Sequence, residues 1–319
     1  MSYSDIIRDA FWIAWRNRFL WFFGFFVSGA AGSIVTPSNF ANMGASNAPA
    51  MGGMPPWLLD LAYWIRDNVV LFVVLATTLV LLVVTVWLVL YAISRGALAE
   101  SVAARDRGEA RRFSSAWRAG LSSFWRVIGQ VTIISLFWFG LTLVIFALGA
   151  LLFVGISAAT ESIAVKVLAG ALGTLLLLPL LAAIFVVLLV ISQFALRALV
   201  LGGEGVFASI GTGYRLFRTN TGTSLLLLLI QVGIALAVGG VVFATISLAG
   251  LLLSVPVTFL SSSGLGAAST AVAVVLGLIF SAPFVVITSA AGVFHQAYWT
   301  LVYLRLTHSN RPQAPTDPY

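Results

Sequence analysis

No cysteine occurs among the 319 residues, and histidine occurs only as His295 and His308. The first absence excludes disulfides, thiolate metal sites and a cysteine nucleophile. The second leaves little material for imidazole chemistry. Charge is also scarce, at 8% of residues against about 25% in a soluble domain. Chains this poor in charge are neither disordered nor coiled coils with charged flanks. What fills the space is apolar: 61% of the residues are hydrophobic and the mean hydropathy is +1.07. Too little polar surface exists to cover a globule, so lipid must do the covering. The composition predicts an all-α, polytopic membrane protein.

A spanning helix needs about 20 apolar residues with charges at its ends. Six such runs lie near 19–36, 68–93, 127–157, 165–195, 224–260 and 266–304. The last four exceed the bilayer minimum and imply tilt, bending or protrusion. Pro179, Pro256 and Pro283 are the expected kinks, because each removes one backbone donor. The run FLWFFGFFVSGAA at 19–31, behind Arg16 and Arg18, has the outline of a secretory leader and is expected to serve as an uncleaved anchor.

Of the 17 basic residues, only Arg66 and Lys166 fall on the opposite side from the rest when the N-terminus is taken as cytoplasmic. The positive-inside rule then puts both termini and the joints 94–126 and 196–223 in the cytoplasm, with 37–67, 158–164 and 261–265 outside. That orientation is the one expected of a multi-pass membrane protein. The net charge of +7 does not indicate nucleic acid, because the arginines are scattered along membrane edges. It suits an anionic inner leaflet, at about 1 kcal/mol per basic residue near the surface.

Three spans are preceded by stretches with helical apolar spacing and arginine on the opposite face. Ile7, Ala10, Phe11, Ala14, Trp15 and Phe19 oppose Arg8 and Arg16. Phe113, Ala116, Trp117, Gly120, Leu121 and Phe124 oppose Arg118 and Arg126, and Phe207, Ile210, Tyr214 and Phe217 oppose Arg215. Trp15, Arg16, Trp117, Arg118, Tyr214 and Arg215 are therefore candidate membrane-surface anchors, as on helices lying in the headgroup plane. The competing reading makes each stretch an extension of the following span. The stretch 104–126, richest in arginine, is expected to anchor most strongly. Small residues align as well: Ala10, Ala116 and Ser209, then Ala14, Gly120 and Gly213. Gln130-Val131 and Gln231-Val232 also match. The pattern suggests a single membrane domain of three amphipathic-helix-plus-hairpin units, about 1–95, 96–199 and 200–308, with a flexible C-terminal tail at 309–319.

The pattern Ala-(x)3-Ala-Trp-Arg-(x)3-Leu-Trp-Phe-Phe-Gly at 10–24, the stretch FSSAWRAGLSSFWRVIG at 113–129 and GVFASIGTGYRLFRTNTG at 205–222 resemble uncharacterised bacterial six-span proteins. These are similar to the membrane region attached to some bacterial glycerophosphodiester phosphodiesterases. The soluble phosphodiesterase domain is missing from this chain, so the resemblance implies no catalytic residue.

Acid–base or metal chemistry needs carboxylates or imidazoles that converge. All ten acidic residues fall in joints or near chain ends, and none lies deep in a span, which argues against proton-coupled transport. The polar residues at membrane depth are Gln130, Gln193, Gln231, His295 and Gln296. Each glutamine reads first as a hydrogen-bonding link between helices and second as part of a substrate path. His295 is a possible axial ligand for haem or a chlorin, against the plainer reading of an interface histidine. His308 follows 13 residues later, about 20 Å along a helix, so the two cannot clamp one haem. Met43, Met51 and Met54 lie in the external loop without a supporting histidine or cysteine, and read as loop composition rather than a copper site. No cofactor and no metal are expected. The function expected is a non-enzymatic scaffold or accessory subunit packing on partner membrane proteins, on lipid or on its own copies. The alternative is a transporter or channel for a lipid-like or small uncharged solute.

Overall fold

Inside lipid a backbone must satisfy its own hydrogen bonds, and an α-helix does so within one segment. The computed structural model describes residues 3–28 and 56–309, and helix accounts for 92% of them, with no strand among the described residues. The helices are α1 Tyr3–Arg16, α2 Leu20–Val27, α3 Pro56–Asp67, α4 Val69–Asp106, α5 Phe113–Ala159, α6 Ile163–Leu201, α7 Val206–Thr219, α8 Thr221–Ser262 and α9 Gly266–Ser309. Five of them, α4, α5, α6, α8 and α9, are long and apolar enough to cross a membrane. The first expected span is helical over Leu20–Val27, and from residue 29 it lies outside the described residues, as do the loop methionines and the tail from 310.

Helix ends follow local chemistry. After α4 the chain turns at Gly108, with φ of 80°, and the Glu109 amide donates to the Ala104 carbonyl at 2.9 Å. The left-handed residue closes the exposed carbonyls of the last turn. Three asparagines break helices: Asn17 between α1 and α2, Asn68 between α3 and α4, and Asn220 between α7 and α8. Each turns its amide back onto the carbonyl four residues earlier, Ile13 at 2.9 Å, Trp64 at 3.0 Å and Leu216 at 3.2 Å, competing with the helical ladder. Trp21 Nε1 donates to the Ala14 carbonyl at 2.8 Å and fixes the first break. No asparagine occurs between Phe113 and Ala159, and there the amphipathic stretch runs on into its span as one helix.

Packing divides the chain into two compact units. The first comprises Met1–Leu121 with Ile230–Leu301. Its core holds Ala14, Leu20, Phe23, Ala97, Leu98, Ala116 and Val293, with Trp21, Trp117 and Phe294 packed around them. The second comprises Ser122–Leu229 with Val302–Tyr319, and in it α6 packs against α7, burying Phe194, Leu196, Leu199, Leu216 and Phe217.

Backbones approach closely at three places. A Cβ on Gly24 would strike the Ser289 carbonyl oxygen, and one on Gly120 would strike that of Ile93. On Gly213 it would lie 2.8 Å from the Ile191 oxygen and 2.9 Å from the Ala195 nitrogen. Small residues at such crossings replace the hydrophobic drive that lipid removes. Two of the surfaces they meet share Ile-Ser-x-x-Ala-Leu, at 93–98 and 191–196, and the third, Thr-Ser-Ala-Ala-Gly-Val at 288–293, has the serine in common with them.

Candidate functional site

Most of the buried polar side chains of the long helices lie in the C-terminal parts of α4, α6 and α9 and in the N-terminal parts of α5 and α8. In the second unit, Gln130 of α5 is 1% exposed and its Nε2 donates to the Ser192 carbonyl of α6 at 3.2 Å. One turn further along α6, Arg197 is fully buried. Its Nη1 donates to the Gln193 carbonyl at 2.9 Å and to Gln193 Oε1 at 2.5 Å. Burying a guanidinium is costly unless its donors are satisfied, and Gln193 supplies two acceptors from one helical turn away.

In the first unit, Gln231 of α8 pairs through Nε2 with Nδ1 of His295 on α9. Gln296 is 1% exposed, and its carbonyl accepts from Thr300. Arg95 of α4 is buried, donates from Nη1 to the Tyr91 hydroxyl at 3.3 Å and lies over that ring at 5.5 Å. Gln130 Oε1 and Gln231 Oε1 are buried without a hydrogen-bond partner among the described residues. The four glutamines thus fall in pairs, Gln130 with Gln193 in one unit and Gln231 with Gln296 in the other.

Where the amide nitrogen faces Nδ1, neutral His295 carries its proton on Nε2, which leaves no lone pair there for iron or magnesium. Ligation would require the opposite amide orientation. Among the described residues no three histidine or acidic side chains converge as a metal site. The side chain of His308 lies outside the described residues.

The amphipathic helices turn their small residues inward. Ala10, Ala14, Ala116, Gly120, Ser209 and Gly213 are all buried. The large rings point the other way: Trp15 is 51% exposed, Tyr214 49% and Trp125 80%, while Trp117 is half-buried. Arg16, Arg118 and Arg215 are exposed beside them. An aromatic and cationic outer surface over a small-residue inner one suits a helix at the headgroup level.

The basic joint between α4 and α5 is partly neutralised from within. Glu109 accepts from Arg107 at 2.8 Å and from Arg111 at 3.4 Å, and Arg111 also meets Glu100 at 3.3 Å. The hydrogen bond from Arg107 is the main reason that the Glu109 carboxyl sits below the usual carboxylate range, and Arg107 is raised in return.

Two grooves lie beside these helices. One, of about 380 Å³, lies between α2 and the start of α5, lined by Phe22, Phe113, Ser114, Trp117 and Arg118. The other, of about 290 Å³, lies between α8 and α9 and is apolar, with Ile246, Leu253 and Phe284 on its walls. Its two hydroxyls, on Thr245 and Ser281, are spent on carbonyls of their own helices.

Five helices long and apolar enough to cross a membrane make this a multi-pass helical membrane protein. The chain belongs to the DUF7544 family of unknown function, whose pattern it matches over residues 15–309. No curated protein and no solved structure matches it.

Sequence reasoning missed Arg95 and Arg197 as buried groups, since both count as cytoplasmic edge charges in the orientation rule. For Arg95 a signal was present in the Ile-Ser-x-x-Ala-Leu repeat, which places it at the same position as Gln193; Arg197 lies one residue past the repeat and has alanine, Ala99, as its counterpart.

Proposed function

We propose that the protein is a non-enzymatic scaffold or accessory subunit of the bacterial inner membrane, built as six spans in three units with both termini cytoplasmic. Its amphipathic helices hold the inner leaflet, and its apolar outer surfaces pack on partner spans. One observation carries it: Gln130, Gln193 and Gln231 are at most 8% exposed, and their hydrogen bonds run to neighbouring protein groups. A solute path would leave such groups facing open space.

The outer parts of the spans support the same reading. Leu136, Phe139, Leu236 and Phe243 are each more than 60% exposed, offering large apolar side chains to lipid or to other helices. A photo-crosslinker at position 139 or 236 in living cells should give discrete protein adducts. Lipid adducts alone, together with solute flux through the reconstituted protein, would replace the scaffold by the transporter.

A further inference from the structure

We propose that the groove between α2 and the first turns of α5 binds a single anionic phospholipid, its phosphate at Arg118 and its upper acyl carbons along Phe22 and Trp117. The proposal rests on the inner-leaflet placement argued above and adds to it a site of defined stoichiometry.

The groove has one apolar wall and one polar edge. Phe113 and Trp117, one helical turn apart, stack with ring centroids 6.1 Å apart, and Phe22 of α2 meets them at 5.5 and 6.3 Å. Ser114 and Arg118 are also one turn apart and form the neighbouring column, so cation and hydroxyl run alongside the rings. An amphiphile matches this layout along its length, with its head on the polar column and its tail on the rings.

Charge selects the head. Arg107 and Arg111 are occupied by Glu109 and Glu100, whereas Arg118 forms no ion pair among the described residues. Neither does Arg112, which lines an adjoining cleft that shares Ser114 with the groove. The groove therefore keeps positive charge uncompensated beside an aromatic wall, which complements a phosphate that carries no cation of its own. A zwitterionic head would bring an ammonium toward the same arginines and gain less. At about 380 Å³ the groove lies within the roughly 300–1,000 Å³ of small-molecule sites. It admits a headgroup and the first methylenes, but is too small for a partner helix, which is about 10 Å across.

The test is native mass spectrometry of the full chain in mild detergent, titrated with phosphatidylglycerol or with phosphatidylcholine of the same acyl chains. One phosphatidylglycerol should be retained in preference to phosphatidylcholine. Arg118→Gln should weaken that binding roughly fivefold. Ser114→Trp, which fills the groove and leaves its charge, should also weaken it. Arg66→Gln, on an exposed arginine at the end of α3 and outside the groove, should not. Equal retention of the two lipids would overturn the proposal, as would unchanged binding in both groove variants. Displacement by millimolar inorganic phosphate would overturn it in favour of a free-anion site. A failure of the inner-leaflet placement would appear instead in labelling of the Ala110→Cys protein from outside the cell, which leaves affinities in detergent untouched.

Discussion

Gln231 and His295, 64 residues apart, join α8 to α9 through the glutamine amide and the imidazole Nδ1. Gln130 does the corresponding work between α5 and α6, reaching the Ser192 carbonyl 62 residues away. Each glutamine sits near the start of one long helix and ties it to the end of the next. In the first pair both partners are side chains, so a double-mutant cycle isolates it. Gln231→Leu, His295→Phe and the double variant should reveal a coupling of about 0.6–2 kcal/mol in detergent unfolding. A coupling of zero would show that the pair contributes no stability.

Two glycines of α7, two residues apart, should respond in opposite senses to alanine. At Gly213 the new methyl would press on the Ile191 oxygen and the Ala195 nitrogen, both backbone atoms that cannot swing aside. Gly213→Ala should therefore cost about 1–3 kcal/mol. At Gly211 nothing lies within 4 Å, so Gly211→Ala should gain about 0.5–1 kcal/mol from helix propensity. Thermal unfolding of the two variants reads the difference, and equal shifts would refute the close crossing of α6 and α7.

The joint between α4 and α5 should loosen in acid. The Glu109 carboxyl is held below the usual range by the Arg107 hydrogen bond and by the charges of Arg107 and Arg111. A depressed folded-state value stabilises above the ordinary glutamate pKa of about 4.3 and fails as pH falls through the lower folded-state value. A spin label at Ala110 should thus keep constant mobility from neutral pH down to about 4 and gain mobility below it. In Glu109→Gln the high mobility should already be present at neutral pH. A label insensitive to both changes would mean that the ion pairs do not order the joint.

Cysteine labelling decides the orientation. Ala48→Cys should react with an impermeant reagent added outside the cell, and Ala110→Cys only after the membrane is opened. Reversed labelling would invert the protein and move the basic joint to the wrong leaflet.

Hydropathy alone revealed the long spans, because the transfer energy of about 20 apolar residues outweighs any detail of packing. The runs at 68–93 and 165–195 extend in the structure as α4 and α6 to Asp106 and Leu201, past their first arginines. Those arginines hid the extension, since a charge normally marks a span end, yet Arg95 and Arg197 are buried in the helices that continue past them. The alignment of Ala14, Gly120 and Gly213 was visible in the sequence, but its meaning was not. Small size shows that a backbone can come close, and only the fold shows which one does. The Gln231–His295 pair was out of reach for a different reason: the partners are 64 residues apart and neither occurs in a recognisable motif. The break at Asn220 and its absence before α5 could have been read, because asparagine carries its own competing acceptor and donor.

Helix α4 holds two kinds of sequence information end to end. From Val69 to Leu90 its side chains are exposed or half-buried, and from Ala92 to Ala104 they are buried except for the half-buried Glu100. In the first stretch lipid asks only for greasiness, so valine, leucine and phenylalanine are synonyms there and their order carries almost nothing. In the second, neighbouring backbones dictate size atom by atom, and an alanine exchanged for leucine is a misprint. The same rod of helix is thus written in a forgiving dialect up to Leu90 and a literal one from Ala92. Drift among relatives should accumulate on the first side of that line long before it touches the second.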